Sequence, residues 1–337
     1  MATIPLIDIS CLRQENWDEL AVQQMAENVA EACTTHGFFY VSGHGVSAQL
    51  ISELERVSHQ FFAQAEEEKM KISMSKGGIA WRGYFPVEGE LTSGKTDLKE
   101  GIYFGTELEP ENKRVQSNTP IHGPNLFPEI PNELRAVVLN YMSAVTQVGH
   151  LVMKAIALSL ALDADYFHAR YTQNPLILFR IFHYPSQPIG SAQWGVGEHT
   201  DYGLLTLLLQ DSVGGLQVKS GGIWVDAPPI PNIFVCNIGD MLDRMTGGLY
   251  RSTPHRVLNA SGKQRLSFPL FFDPAFDSRV ELIAGITPVE DDRNNRWDKD
   301  SVHDFEGTYG DYLLRKVGAV FPDLRKEMLE DNAEFSN

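Results

Sequence analysis

Two kinds of hydrophobic spacing divide the chain. Up to about residue 172, apolar positions recur mostly at three- and four-residue steps, and from Leu176 onward they form short runs separated by turn residues. Val22, Met25, Ala26, Val29 and Cys33 share one side of a helix predicted over 16–33. Leu50, Ile51, Leu54, Val57 and Phe61 do the same over 47–62. Short strands at 5–9 and 37–41 complete a β-α-β-α opening. The longest helical pattern, 133–162, carries a wide apolar stripe through Val138, Tyr141, Val145, Val148 and Val152, so it should lie against a sheet. A further short helix is expected over 164–171.

Between 75 and 105 the periodicity breaks up. Gly77, Gly78, Gly83, Gly89 and Gly94 alternate with aromatic and charged residues, which reads as an irregular or mobile region. Residues 110–131 read as a surface connection. Downstream, strands are expected at 176–184, 204–209, 216–219, 223–225, 234–238, 256–258 and 266–272, with Gly214-Gly215 and Ser220-Gly221-Gly222 as turns. So many short strands without intervening helices read as a sandwich or jelly roll and make a doubly wound sheet unlikely. The tail over 307–326 is helical in part.

Composition narrows the class. The chain has 337 residues, 43% hydrophobic and 21% charged, as expected of a soluble globular protein with a large core. Its formal net charge of −16 argues against a nucleic-acid backbone or an anionic membrane as partner. Cys11, Cys33 and Cys236 are too few and too scattered for a disulfide framework or a cysteine zinc site, which fits a reducing cytoplasm. No secretory signal is visible, and the most apolar long run, 151–162, contains Lys154 and is short for a bilayer. No protein partner is implied.

Candidate chemistry lies at Gly197-Glu198-His199-Thr200-Asp201, answered by His255 far downstream. On an extended strand, side chains at i and i+2 leave the same face, which would aim His199 and Asp201 into one space. Two imidazoles and one carboxylate form the facial set that holds non-haem iron and leaves adjacent positions open. Ten residues after His255 come Arg265 and Ser267, again on one strand face, a guanidinium fork and a hydroxyl suited to a carboxylate. His44, between two glycines, reads as a loop histidine satisfied by backbone. His150 reads as packed, and Asn237 and Asp240 as hydrogen-bonding support.

These residues resemble the Fe(II)/2-oxoglutarate-dependent dioxygenases of the isopenicillin N synthase-like family. The similarity extends to Ile4-Pro5-Leu6-Ile7-Asp8, to Gly37-Phe38-Phe39-Tyr40-Val41 and to Asn237-Ile238-Gly239-Asp240. It implies an α+β protein with a double-stranded β-helix core, the N-terminal β-α-β-α region and the long helix packed on it. The expected divisions are an N-terminal region at 1–120, connecting helices at 121–172, a catalytic core at 173–280 and a helical extension at 281–337. It implies Fe(II) held by His199, Asp201 and His255, with 2-oxoglutarate and O2 taking the open positions. Arg265 and Ser267 would hold the far carboxylate of 2-oxoglutarate, and Tyr184 matches a tyrosine that hydrogen-bonds the same cosubstrate. Phe271 matches an aromatic that touches substrate.

One position departs from that pattern. Phe182 stands where plant relatives often carry asparagine before the His183-Tyr184-Pro185 stretch, so that contact is not carried over. The implied reaction is hydroxylation, demethylation or desaturation of a small molecule with release of succinate and CO2. Arg82, Tyr84 and Phe104 are expected to join Phe271 in walling the substrate cavity, and Trp194 could cover it. The alternatives are an iron oxidase of the same fold without 2-oxoglutarate, a zinc hydrolase, or a jelly-roll binding protein with a structural metal.

Overall fold

The computed structural model describes residues 3–92, 95–190, 194–289, 291, 293, 296, 299 and 301–320. Its strands, in chain order, are β1 (Leu6–Asp8), β2 (Phe38–Ser42), β3 (Gly83–Phe85), β4 (Leu91–Thr92), β5 (Lys95–Thr96), β6 (Glu100–Gly105) and β7 (Leu176–Tyr184). They continue with β8 (Trp194–His199), β9 (Leu205–Gln210), β10 (Leu216–Ser220), β11 (Ile223–Asp226), β12 (Phe234–Ile238), β13 (His255–Leu258) and β14 (Arg265–Asp273). Eight of them form a large sheet in the order β1-β2-β12-β9-β14-β7-β6-β3. Four form a small sheet, β11-β10-β13-β8, and β4 and β5 form a separate hairpin. Apart from the parallel β1–β2 pair, all are antiparallel. Side chains of both sheets meet across the interior, as where Phe38 of β2 packs edge-on against His255 of β13 at 5.3 Å. This is the jelly roll expected from the alternating strands.

Helices cover the outer face of the large sheet. Asp18 caps the first, accepting from the backbone N–H of Leu20 and Ala21, so Glu19–Thr35 begins three residues later than the spacing alone predicts. The second is Ala48–Phe62, and the long one is Leu134–Ser159. The long helix buries Val138, Val145, Val148 and Val152 against the sheet and its helical neighbours. Each such burial contributes roughly 1.5–3 kcal/mol. At Gly149 an added Cβ would lie 2.3 Å from the Phe272 ring, so the glycine lets the helix come close to β14.

Three expectations need correction. The short helix expected at 164–171 runs over 166–172 and is π-type across His168–Thr172. The region 75–105 is not irregular throughout: β3 and β6 belong to the large sheet, and every residue of both is buried. Glycine punctuation hid them, because Gly83, Gly101 and Gly105 serve close packing here; a Cβ on Gly101 would meet Phe182 and Phe85 at 2.8 Å. Trp194, expected as a cover for the substrate cavity, opens β8, and its ring packs on Arg256 at 4.2 Å. The C-terminal helix, Tyr309–Val320, docks on the core through Tyr309 and Tyr312, whose hydroxyls donate to Asp273 and Asp240. The part of that helix expected beyond residue 320 lies outside the described residues.

Candidate active site

Strand pairing places the two histidines side by side. β8 and β13 are antiparallel with His199 opposite His255, and their rings lie 4.2 Å apart between centroids. Asp201 comes from the loop after β8, where the strand has already ended. The expectation that His199 and Asp201 share an extended strand therefore fails in detail. The carboxylate is instead held by the large sheet: its Oδ2 accepts from Thr206 Oγ1 at 2.6 Å and Asn237 Nδ2 at 2.7 Å. Asp240 helps through its backbone N–H, which donates to the Asp201 carbonyl at 2.8 Å. His44 and His150 stay apart from the centre, the first bonded to the Asn232 carbonyl and the second packed on Phe272.

The resulting group has ligand atoms within 4.8 Å of one another. His199 Nε2 is 3.8 Å from Asp201 Oδ1, and His255 Nε2 is 3.7 Å from Oδ2. Each imidazole directs Nδ1 to a backbone carbonyl, Gly197 at 2.8 Å and Thr253 at 3.3 Å, which leaves Nε2 for a metal. Burial, with His199 beside it, lowers the His255 pKa to about 4, so the ring is neutral and able to ligate. Burial pushes the Asp201 carboxyl up, but His255, His199 and its two hydrogen bonds outweigh it, and its pKa is lowered. The donor set fits Fe(II).

Arg265 lies on β14 opposite Tyr184 of β7 and is fully buried. Nη2 donates to Gln210 Oε1 at 3.2 Å, and the guanidinium stands 4.7 Å from the Tyr184 ring. Nε and Nη1 are buried without a hydrogen-bond partner. A buried guanidinium with two idle donors is costly unless an anion completes it. Ser267 Oγ and Tyr184 Oη, 3.5 Å apart, line the same cavity. The arrangement fits a carboxylate of 2-oxoglutarate. That cavity, of about 420 Å³, also contains His199, Asp201 and His255.

The 2OG-Fe(II) oxygenase superfamily model matches residues 174–274, and the model for the non-haem dioxygenase N-terminal region (in morphine synthesis) matches 4–130. A probable iron/ascorbate oxidoreductase of Dictyostelium discoideum is 51% identical, covering 97% of each chain. This chain belongs to the 2OG-Fe(II) oxygenase superfamily. A 1-aminocyclopropane-1-carboxylate oxidase of the same organism is 40% identical over 95% of each chain. A Neurospora crassa enzyme crystallised with alpha-KG and thymine superposes with a TM-score of 0.76 at 30% identity, covering 94% of this chain and 96% of that one. The oxygenase is a non-haem, Fe(II)- and 2-oxoglutarate-dependent oxidoreductase.

Of the four expected substrate-wall residues, only Phe271 lines the oxygenase cavity. Register explains the other three. Tyr84 pairs with Ile102, and Phe104 with Phe179, on the face of the sheet beneath the long helix. Phe104 stacks between Phe127 and Phe179, and the Tyr84 hydroxyl donates to Glu100. Arg82 is fully buried, with Nη2 donating to the Ile121 carbonyl at 2.8 Å. The cavity face belongs to their neighbours: Tyr103, one residue before Phe104, packs under Arg180 at 4.1 Å. Arg180, Glu90, Lys99, Tyr202, Asp273 and the C-terminal helix were not anticipated as lining. For Arg180 a signal existed, a lone charge inside the apolar strand Leu178-Phe179-Arg180-Ile181-Phe182.

Proposed function

We propose that the oxygenase hydroxylates a small organic molecule, with His199, Asp201 and His255 holding Fe(II) and Arg265, Ser267 and Tyr184 holding the far carboxylate of 2-oxoglutarate. When bound, the metal and cosubstrate supply O2 activation: one oxygen atom enters a C–H bond, the other enters succinate, and CO2 leaves. The protein's own contribution is positional. The two Nδ1–H···O=C bonds hold the imidazoles in the ligating tautomer, and Thr206 with Asn237 pins one carboxylate oxygen of Asp201. Phe182, Leu208, Val196 and Val257 line the cavity with apolar surface that keeps bulk water from the reacting centre. The cavity is of a size for a small molecule beside the cosubstrate.

The observation that carries this reading is the buried pair of idle donors on Arg265. The test is an anaerobic titration of the Fe(II)-loaded chain with 2-oxoglutarate, followed by oxygen and a small-molecule library. Saturable binding and succinate formed one-for-one with hydroxylated product are expected. Product formed without succinate would place the chain with oxidases that do not use 2-oxoglutarate.

A further inference from the structure

Behind the metal ligands lies a short helix, Asp240–Met245, outside the cavity. It supports both loops that deliver ligands. The backbone N–H groups of Asp240 and Met241 donate to the carbonyls of Asp201 and Gly203, at 2.8 and 2.9 Å. Further along the helix, Asp243 Oδ2 accepts from the Ser252 N–H at 2.8 Å. Ser252 precedes Thr253, whose carbonyl orients the His255 ring. One helix thus backs the loop bearing Asp201 and the loop leading to His255.

The side chains of Asp240 and Asp243 are fully buried. Buried carboxylates are costly without counter-charges and hydrogen bonds. Here these come from beyond the core strands. Arg296, itself buried, directs Nη2 to Asp240 Oδ1 at 2.7 Å and to Thr200 Oγ1 at 3.0 Å. The Tyr312 hydroxyl donates to Asp240 Oδ2 at 2.7 Å, and His303 Nε2 lies 3.2 Å from Asp243 Oδ1. The contact is returned by Arg244 of the same helix, whose Nη1 donates to the carbonyls of Val302 and His303 at 3.0 and 2.6 Å.

Thr200 stands between the ligands His199 and Asp201. One nitrogen of Arg296 therefore ties the ligand-bearing loop to the helix that supports it. An ion pair that only stapled the chain would need Asp240 alone; the second bond reaches the metal loop itself. Arg296 stands outside the cavity, so its influence on the centre passes through these two partners. Resting on the assignment of His199, Asp201 and His255 as ligands, we infer that Arg296 is a positioning residue of the metal centre. By bridging Thr200 and Asp240 it holds the ligand loop in its metal-binding form. Residues that orient metal ligands from outside typically set metal affinity by about ten- to a hundred-fold.

The test uses Co(II) alone, titrated anaerobically into the metal-free full-length chain and followed by its visible absorption and by calorimetry. Arg296→Gln should lower Co(II) affinity about tenfold, the lower end of that range, because it acts through two partners. Arg296→Lys, which keeps a charge beside Asp240, should recover part of the loss. Thr200→Val should lower affinity in the wild-type background and add nothing to Arg296→Gln, since both remove the same bridge. Should Arg296→Gln fail to fold, the same cycle is run with Arg296→Lys. Val145→Ala, a truncation under the long helix, serves as a control for lost stability and should bind Co(II) as the wild type does. Wild-type affinity in Arg296→Gln, an equal loss in Val145→Ala, or additive effects of the Thr200 and Arg296 changes would each overturn the inference. Asp201→Ala separates it from the metal assignment. Equal Co(II) binding by that variant and the wild type would overturn the assignment and the inference with it, whereas weakened binding there beside an unaffected Arg296→Gln would overturn the inference alone.

Discussion

The two faces of the large sheet both bury charge, and they treat it differently. On the helix-covered face Glu100 is saturated. One oxygen meets His183 Nδ1 at 2.7 Å, the other accepts from Lys69 at 2.6 Å and from Tyr84. On the cavity face Arg265 and Arg180 keep buried donors without hydrogen-bond partners. A saturated buried network specifies packing, whereas donors left idle at a cavity wall mark the place where a ligand completes the set. Glycine, aromatic and charged residues occur on both faces, so residue type alone does not tell them apart.

The contrast can be tested from either side. The largest effect should come from Asp201→Ala, which removes the anionic ligand; succinate formation should fall to background while the circular dichroism spectrum stays that of the folded chain. On the helix face, Glu100→Ala leaves Lys69 buried and unpaired and should cost about 3–5 kcal/mol of stability in denaturant titration. In the fraction that stays folded, its affinity for 2-oxoglutarate should match the wild type; a selective loss of that affinity would erase the distinction between the faces. On the cavity face Arg265→Lys keeps the charge and loses the fork. It should weaken 2-oxoglutarate binding by about ten- to a hundred-fold, equivalent to about 1.5–3 kcal/mol, with little change in midpoint denaturant concentration.

The smallest effect concerns Asp273, which burial pushes up to about 7, with the Tyr309 hydroxyl and Arg180 opposing and Asp201 adding to the rise. The folded state thus holds a proton that the unfolded chain releases near the ordinary aspartate value, so stability falls as pH rises between about 4 and 7. Asn stays neutral throughout. Asp273→Asn in the metal-free chain should therefore stabilise more at pH 8 than at pH 5; an equal shift at both pH values would mean that Asp273 is ionised throughout.

The sequence by itself determined the strand-rich core, the long helix and the candidate residues for a metal and a cosubstrate. These were legible because each is local: His199 and Asp201 two apart, Arg265 and Ser267 two apart, and apolar runs whose period names the element. Even there the spacing was right for a reason only partly correct, since Asp201 lies beyond the strand and is steered by Thr206 and Asn237 of two other strands. What only the tertiary structure decided is which face the residues of β3 and β6 present. A strand's side chains alternate with period two, so a single-residue change of register exchanges Tyr103 for Phe104 at the cavity. That register is set by pairing with β7, more than seventy residues downstream. The docking of the C-terminal helix through Tyr309 and Tyr312 is likewise a long-range event, between residues far apart in the chain, and no local pattern records it.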